Sequence, residues 1–335
     1  MNTISHANAT PTVAVIGAGM AGLAAGEYLK SEGYAVTIFE KARGPAGRSS
    51  TRRENELQFD HGAQYFTVQH EAFRKKVEDW IKQDVVHTWD GKFVSIKNGS
   101  MYPVSENTVR YVGVPGMNAM AKALAEDLDI SYQMRVQSIH RKDDCWQLYS
   151  EKKQFLGAFD IVIITAPPPQ ALPLLDVFPE WQKGIASVEM QPCWAVMVNF
   201  AGRVNVSFDA AFVEGSPLSW IARNGSKPRR PEGESWVLHA SASWSREHLE
   251  KEADWASDTL LNEFFTQLKL SKIAATFRKA HRWRYALAAN PLNNDYLWDD
   301  QYRLGVAGDW LRQSRIEDAY LSGLYLTQRI VQSMG

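Results

Sequence analysis

The sequence predicts an α/β chain in two parts: a domain built on a parallel sheet, and a second, α+β part built on an antiparallel sheet. Three observations carry this. The chain has 335 residues, above the usual size of one compact core. Val13 to Phe39 reads as apolar strand, glycine turn, helix and second strand, the opening of a parallel sheet. Farther on, WAVMVNF (Trp194 to Phe200), WVLHASASW (from Trp236) and ATFRKAHRW (from Ala275) are rich in β-branched and aromatic residues, as antiparallel strands are.

Val13 to Ile16 is continuously apolar, as a strand covered on both faces must be. Gly17, Gly19 and Gly22 then complete G-x-G-x-x-G. The first allows a tight turn, the second close approach of a pyrophosphate, and the third close packing of helix on strand. The spacing predicts a helix from Met20, through Ala21, to Ser31, stopped by Gly33. Its first amides and its dipole favour a phosphate. Ala35 to Phe39 is the second strand, and Glu40 follows, eighteen residues after Gly22. A carboxylate there accepts both ribose hydroxyls and repels a 2′-phosphate. The unit is a Rossmann-like dinucleotide site with NADP disfavoured, and NAD and FAD both remain open at this point.

Bulk properties exclude other classes. A net charge of −1 argues against a general nucleic-acid or acidic-membrane surface. No run of eighteen apolar residues suggests a membrane span, and the polar start lacks the features of a signal peptide, so a cytoplasmic location is expected. Cys145 and Cys193 show neither a disulfide framework nor metal-ligand spacing. Twelve tryptophans suit a large core and also an aromatic-lined cavity.

After Glu40 the chain reads KARGPAGRSSTRR, beginning at Lys41, where a simple NAD dehydrogenase continues with a helix and a third strand. Arg43 and Arg48 stand where a second contact to a pyrophosphate forms, and Gly44 and Gly47 let the backbone come close. RLGVAGDW supplies Gly308 and Asp309 after an apolar strand, and EDAYLSGLYLTQRIV reads as a closing amphipathic helix. This order resembles the flavoprotein superfamily that includes the amine oxidases and renalase. The finer match, to the bacterial renalase branch, rests on FDHGAQYFT (Phe59 to Thr67), VRYVGVPGMNAMAKAL (Val109 to Leu124), WIARNGSKP (Trp220 to Pro228), WVLHASASWS, AHRWRYA (Ala280 to Ala286) and VAGDWLRQSRIEDAYLSG (Val306 to Gly323).

The resemblance implies non-covalent FAD. It places the Arg48 loop on the diphosphate, Asp309 on the ribityl–pyrophosphate portion, and Val136 at the adenine. Ala166, in FDIVIITAPPP, falls on the superfamily's central strand and turn. Asp318, Ala319 and Tyr320 open the helix that points at the flavin pyrimidine edge. His61, Gly62, Ala63 and Gln64 lie along the cofactor. For catalysis the resemblance singles out Asn224 and His239; Tyr65, which with Gln64 and Phe66 follows a strand and a glycine, is expected along the flavin ring, and Trp283 and Tyr320 are the candidates for the cavity wall. The basic loop of Arg223, Lys227, Arg229 and Arg230 reads as a solvated face, or else as a partner for substrate phosphates.

The activity so implied is oxidation of a nicotinamide dinucleotide isomer, a 2- or 6-dihydro-NAD(P), by hydride transfer to the flavin, with O2 reduced to hydrogen peroxide. A small-amine oxidase and a non-catalytic FAD protein are the alternatives. The FAD domain is expected over 1–70, 109–166 and 286–335, and the substrate domain over 71–108 and 167–285. The three prolines 167–169 mark a crossing point because they break regular structure. One amphipathic helix is expected from Ser245 to Leu268. The protein is expected to be a monomer or weak homodimer.

Overall fold

A computed structural model describes residues 10–104 and 107–334, so the first nine residues of the polar start lie outside it. The chain forms two compact units. The first takes 1–47, 121–188 and 290–335; the second takes 48–120 and 189–289.

The first unit is a six-stranded sheet in the order Leu297–Asp299, Leu304–Val306, Ile161–Ile164, Thr12–Ile16, Ala35–Glu40, Asp129–Tyr132. All its pairs are parallel except the outer Leu297–Asp299 with Leu304–Val306. Val13 to Val15 and Ile161 to Ile164 are fully buried, which explains why these strands are apolar at every position rather than alternately. The predicted helix runs over Met20–Ser31 as expected. A Cβ on Gly22 would lie 2.0 Å from the Gly17 carbonyl oxygen, so only glycine lets the helix start this close to the strand. The closing helix, Ile316–Met334, packs as tightly: a Cβ on Gly323 would stand 2.1 Å from the Ala21 oxygen. A three-stranded antiparallel sheet, Val136–Lys142, Cys145–Ser150 and Phe155–Phe159, completes the strands of this unit.

The second unit is a seven-stranded sheet in the order Ala275–Ala288, Met190–Phe200, Glu234–Ala240, Leu218–Arg223, Ala210–Glu214, Phe93–Lys97, Ser100–Pro103. It is antiparallel apart from Ala210–Glu214, which runs parallel to Phe93–Lys97. The helix Ala253–Leu268 buries Leu260, Phe264 and Leu268 in a core with Trp194, Val196, Val198 and Trp236.

Three expectations differ from the structure. Residues 48–70 and 109–120 cluster with the antiparallel sheet, and 167–188 with the parallel one. The prolines do not end regular structure: Pro167 caps a short helix and Pro168 occupies its first position, where the fixed φ and missing N–H are harmless. The helix expected over Ser245 to Leu268 is two helices, Ala242–Glu247 and Ala253–Leu268. Ser241 accepts from the Trp244 amide to cap the first, and the Trp194 indole takes the His248 carbonyl at 3.1 Å, fixing the break.

Candidate active site

In the first unit the residues of the glycine turn converge. Gly17 has φ +113°, a conformation that favours glycine, and the Gly17 amide donates to Phe39 O at 2.9 Å. Glu40 is buried, and its two oxygens accept from Ala18 N at 2.8 Å and Ala42 N at 2.7 Å, which locks the second strand to the turn. Gly19 precedes Met20 with no side-chain cap, the first helical turn carries no acidic residue, and a Cβ on Gly19 would meet nothing within 4 Å. Uncapped amides beside open space are what a pyrophosphate requires. Gly47, at φ +51°, approaches Gly19 Cα, with its would-be Cβ 3.6 Å away.

The other positions on this unit divide. Lys41 donates to Gln170 at 2.6 Å, and burial, then Arg135, hold its ammonium below the ordinary lysine range. Arg43 is exposed. Val136 is buried, and the Ala166 carbonyl accepts from the Trp310 indole at 3.2 Å. Gly308 N donates to Ser322 at 2.9 Å, and Asp309 is buried beside it. Asp318, in the first turn of the closing helix with Ala319 and Tyr320, is held by Arg315 at 2.8 Å and Arg312 at 3.4 Å.

In the second unit the segment 59–66 is the organising feature. Gly62 packs on the Arg48 carbonyl so closely that a Cβ would stand 2.0 Å from its oxygen, and Ala63 N donates to the same oxygen at 2.9 Å. Arg48 itself donates to Ala286 O at 2.9 Å. Asp60 is a buried hub. It accepts from Arg230 Nε (3.0 Å) and Nη2 (2.7 Å), Lys227 Nζ (3.3 Å), Thr51 Oγ1 (2.8 Å) and Met117 N (2.9 Å). The side chains of Asp60, Lys227 and Arg230 are all 0% exposed. This corrects the solvated-face reading of the basic loop for Lys227 and Arg230, which an internal carboxylate has drawn inward. Arg229 remains exposed, and Arg223 pairs with Glu234 at 3.1 Å. Burial pushes the Asp60 carboxyl up, but Lys227 and Arg230 outweigh it and hold it at about 2. Burial pulls Lys227 down, Asp60 opposes this and Arg230 adds to it, leaving the ammonium at about 8.

Asn224 belongs to the same hub. Its Oδ1 accepts from Asp60 N at 3.2 Å and its Nδ2 donates to Gln58 O at 2.9 Å, so both ends serve the fold. Gln64 donates to Asp60 O and Gly62 O and accepts from Lys227 at 3.2 Å.

Beside the hub sits a cluster of neutral rings. His239 Nε2 lies 3.2 Å, and Trp283 Nε1 2.9 Å, from the His61 carbonyl. The His61 ring stands 4.9 Å from His281 and 5.1 Å from Trp283. Burial lowers His61 to about 3, helped by His281 and Arg52, and lowers His239 and His281 to about 4. All three are uncharged at neutral pH. His61 Nδ1 is buried without a partner. Tyr65 lies in a separate aromatic group with Trp89, Phe93 and Trp220. Among the described residues there is no cluster of three His, Cys, Asp or Glu suited to a metal, and no helix long and apolar enough to cross a membrane.

The sequence reading overlooked Asp60, Arg230 as its partner, and His281. Asp60 directly precedes His61 in FDHGAQYF, and His281 precedes Trp283 by two in AHRW, so the segments were in view while these side chains were not.

Residues 87–331 match the family described as flavin-containing amine oxidoreductase. The chain belongs to that family. It is accordingly a flavin-dependent oxidoreductase with FAD as its cofactor, and residues 15–80 match the NAD(P)-binding Rossmann-like domain that would carry the cofactor's ADP half. Coproporphyrinogen III oxidase of Staphylococcus aureus is 27% identical over 109 residues, which is 32% of this chain and 23% of that protein. A protein from Exiguobacterium sp. 255-15, provisionally named a protoporphyrinogen oxidase, superposes with a TM-score of 0.78 over 96% of this chain and 99% of its own, at 12% identity, a likeness of fold alone.

The residues fit FAD. Uncapped amides at Met20, the open face of Gly19 and the fixed Glu40 suit a diphosphate and a ribose.

Proposed function

We propose that this enzyme is an oxidase of the renalase type, converting 2- or 6-dihydro-NAD(P) to NAD(P)+ while O2 is reduced to hydrogen peroxide. The observation that carries the reading is the ring cluster of His61, His239, His281 and Trp283, with His61 buried, the other three half-buried, and the imidazoles uncharged. FAD, when bound, supplies the hydride acceptor and the route of electrons to O2. The protein's task is then to bind, orient and keep water away.

A dihydronicotinamide isomer asks for little more. Its hydride leaves as the ring becomes aromatic, so no proton need be removed. The product ring is positive, and neutral imidazoles do not oppose that charge. An amine must first lose its ammonium proton, and groups that titrate at about 3 to 4 are poor acceptors for it at neutral pH. The buried Lys227 is already engaged by Asp60. Porphyrinogens, named for both relatives, carry several carboxylates, whereas of the buried cations Lys227, Arg230 and Arg110 the first two are committed to an internal one. Asn224 and Gln64 act through the hub as positioning residues, while His61, His239 and Trp283 are the groups proposed to touch substrate.

The test is product analysis. Aerobic holoenzyme given acid- or heat-isomerised NADH should form NAD+ and hydrogen peroxide in equal amounts. Peroxide formed from a primary amine or a porphyrinogen, with no NAD+ from the isomers, overturns the reading.

A further inference from the structure

Arg110 stands just before the strand Tyr111–Gly113 and is 7% exposed. One of its nitrogens, Nη1, donates to the Thr108 carbonyl at 3.1 Å. Its guanidinium lies 4.0 Å over the Phe93 ring and 5.4 Å from the Tyr65 ring. Among the described residues it forms no ion pair, and its Nε is buried without a hydrogen-bond partner. Trp220 rests against the same two rings, 5.6 Å from Tyr65 and 6.4 Å from Phe93, and its Nε1 is likewise buried without a partner.

The contrast with the hub is informative. Lys227 and Arg230 are just as buried, and the fold gives them a carboxylate. Arg110 receives only a carbonyl and two ring faces. Stacking on rings offsets part of the cost of burying a guanidinium, but an unpaired internal charge is among the least favourable arrangements a fold can hold. Two orphaned N–H donors on one aromatic box, one of them cationic, are matched by an anionic oxygen brought from outside.

We propose that Arg110 and Trp220 form an oxyanion subsite that takes a phosphate of the substrate. That the anion is a phosphate rests on the dihydronicotinamide reading above; a substrate carboxylate shares the chemistry. The charge itself favours the phosphate end over the nicotinamide end, because a guanidinium opposes a ring that turns positive. Phe93 and Tyr65 flank the guanidinium and exclude water, which strengthens the contact.

Equilibrium binding tests this without turnover. FAD-loaded wild type, Arg110→Met and Trp220→Phe are titrated calorimetrically with ADP and, separately, with malonate, and their melting temperatures are taken without ligand. ADP affinity should fall by about 10- to 100-fold in Arg110→Met and by about 3- to 10-fold in Trp220→Phe, with FAD content unchanged. The ligand-free melting temperature of Arg110→Met should hold or rise, since an unpaired buried charge has been removed. If Arg110→Met does not fold, Arg110 is structural and the subsite is refuted, unless Trp220→Phe still loses ADP affinity by the stated factor. Equal ADP affinities in all three proteins overturn the subsite, as does an Arg110-dependent malonate site that ignores ADP. Failure of the isomers to yield NAD+, alongside Arg110-dependent ADP binding, refutes the reaction and leaves the subsite standing. NAD+ formation with equal ADP affinities refutes the subsite alone.

Discussion

Asp60→Asn is the most informative single substitution. One buried carboxylate holds two buried cations on Oδ2 and accepts from the Met117 amide on Oδ1, while Asn224 and Gln64 bond to the Asp60 backbone. Removing its charge strands both Lys227 and Arg230, and removing one partner of a buried ion pair costs about 3–5 kcal/mol. At about 2–4 °C per kcal/mol, the melting temperature should fall by roughly 6–20 °C. Lys227→Met should be milder, because the Asp60–Arg230 pair survives. Its cost is mainly the Gln64 oxygen left without a donor, about 1–3 kcal/mol. The double variant should recover part of the Asp60→Asn loss, with a coupling of about 0.5–3 kcal/mol. Differential scanning calorimetry of the holoenzyme measures all four proteins. A loss in Asp60→Asn no larger than that in Lys227→Met would refute the hub. The acid limb gives an independent check. The Asp60 carboxyl sits at about 2 against an ordinary 3.8, so its contribution is fully present above pH 4 and is lost as pH falls through about 2.

The histidine cluster carries a pH signature of the opposite group type. His61, His239 and His281 titrate at about 3, 4 and 4 when folded, against an ordinary 6.5. The unfolded chain therefore binds protons first, so stability is lost as pH falls below about 6.5 and the loss levels off only below about 3, where folded His61 is protonated as well. Melting temperatures across pH 4 to 7.5 should show this decline, and His61→Gln should reduce its slope; an unchanged slope would contradict the buried neutral assignment. In the parallel-sheet unit, Gly19→Ala meets no atom within 4 Å and should keep the melting temperature of FAD-free protein while lowering FAD occupancy. Gly22→Ala, whose Cβ would stand 2.0 Å from a backbone oxygen, should lower both, and equal behaviour of the two variants would mean that Gly19 faces no ligand.

What was legible in the sequence was local. An apolar run, three glycines and Glu40 announce the βαβ unit because turn geometry and backbone approach are set by neighbours a few residues away. The closing helix and the long strands over Trp194 and Ala275 were visible for the same reason. What escaped is long-range. Lys227 and Asp60 are 167 residues apart, and a basic run with no acid beside it looks solvated until the fold brings the acid in. The border between units escaped because Asp60 and Met117, in the segments 48–70 and 109–120, bond to each other, and Asp60 to Lys227 and Arg230 of the antiparallel unit, contacts that no local pattern encodes. The break before Ala253 depends on an indole from Trp194, on another strand. In the site itself, His61, His239 and Trp283 could be nominated from their segments. That Asn224 is saturated by its own backbone neighbours could not.

Anaerobic mixing of the FAD-loaded enzyme with 2- or 6-dihydro-NAD(P), ordinary 4-dihydro-NAD(P)H and a primary amine in parallel tests the proposed reaction most directly. The expected result is rapid loss of the oxidised flavin absorbance with the 2- or 6-isomer and little with the other two. Rapid bleaching by the amine, with the isomers inert, would contradict it.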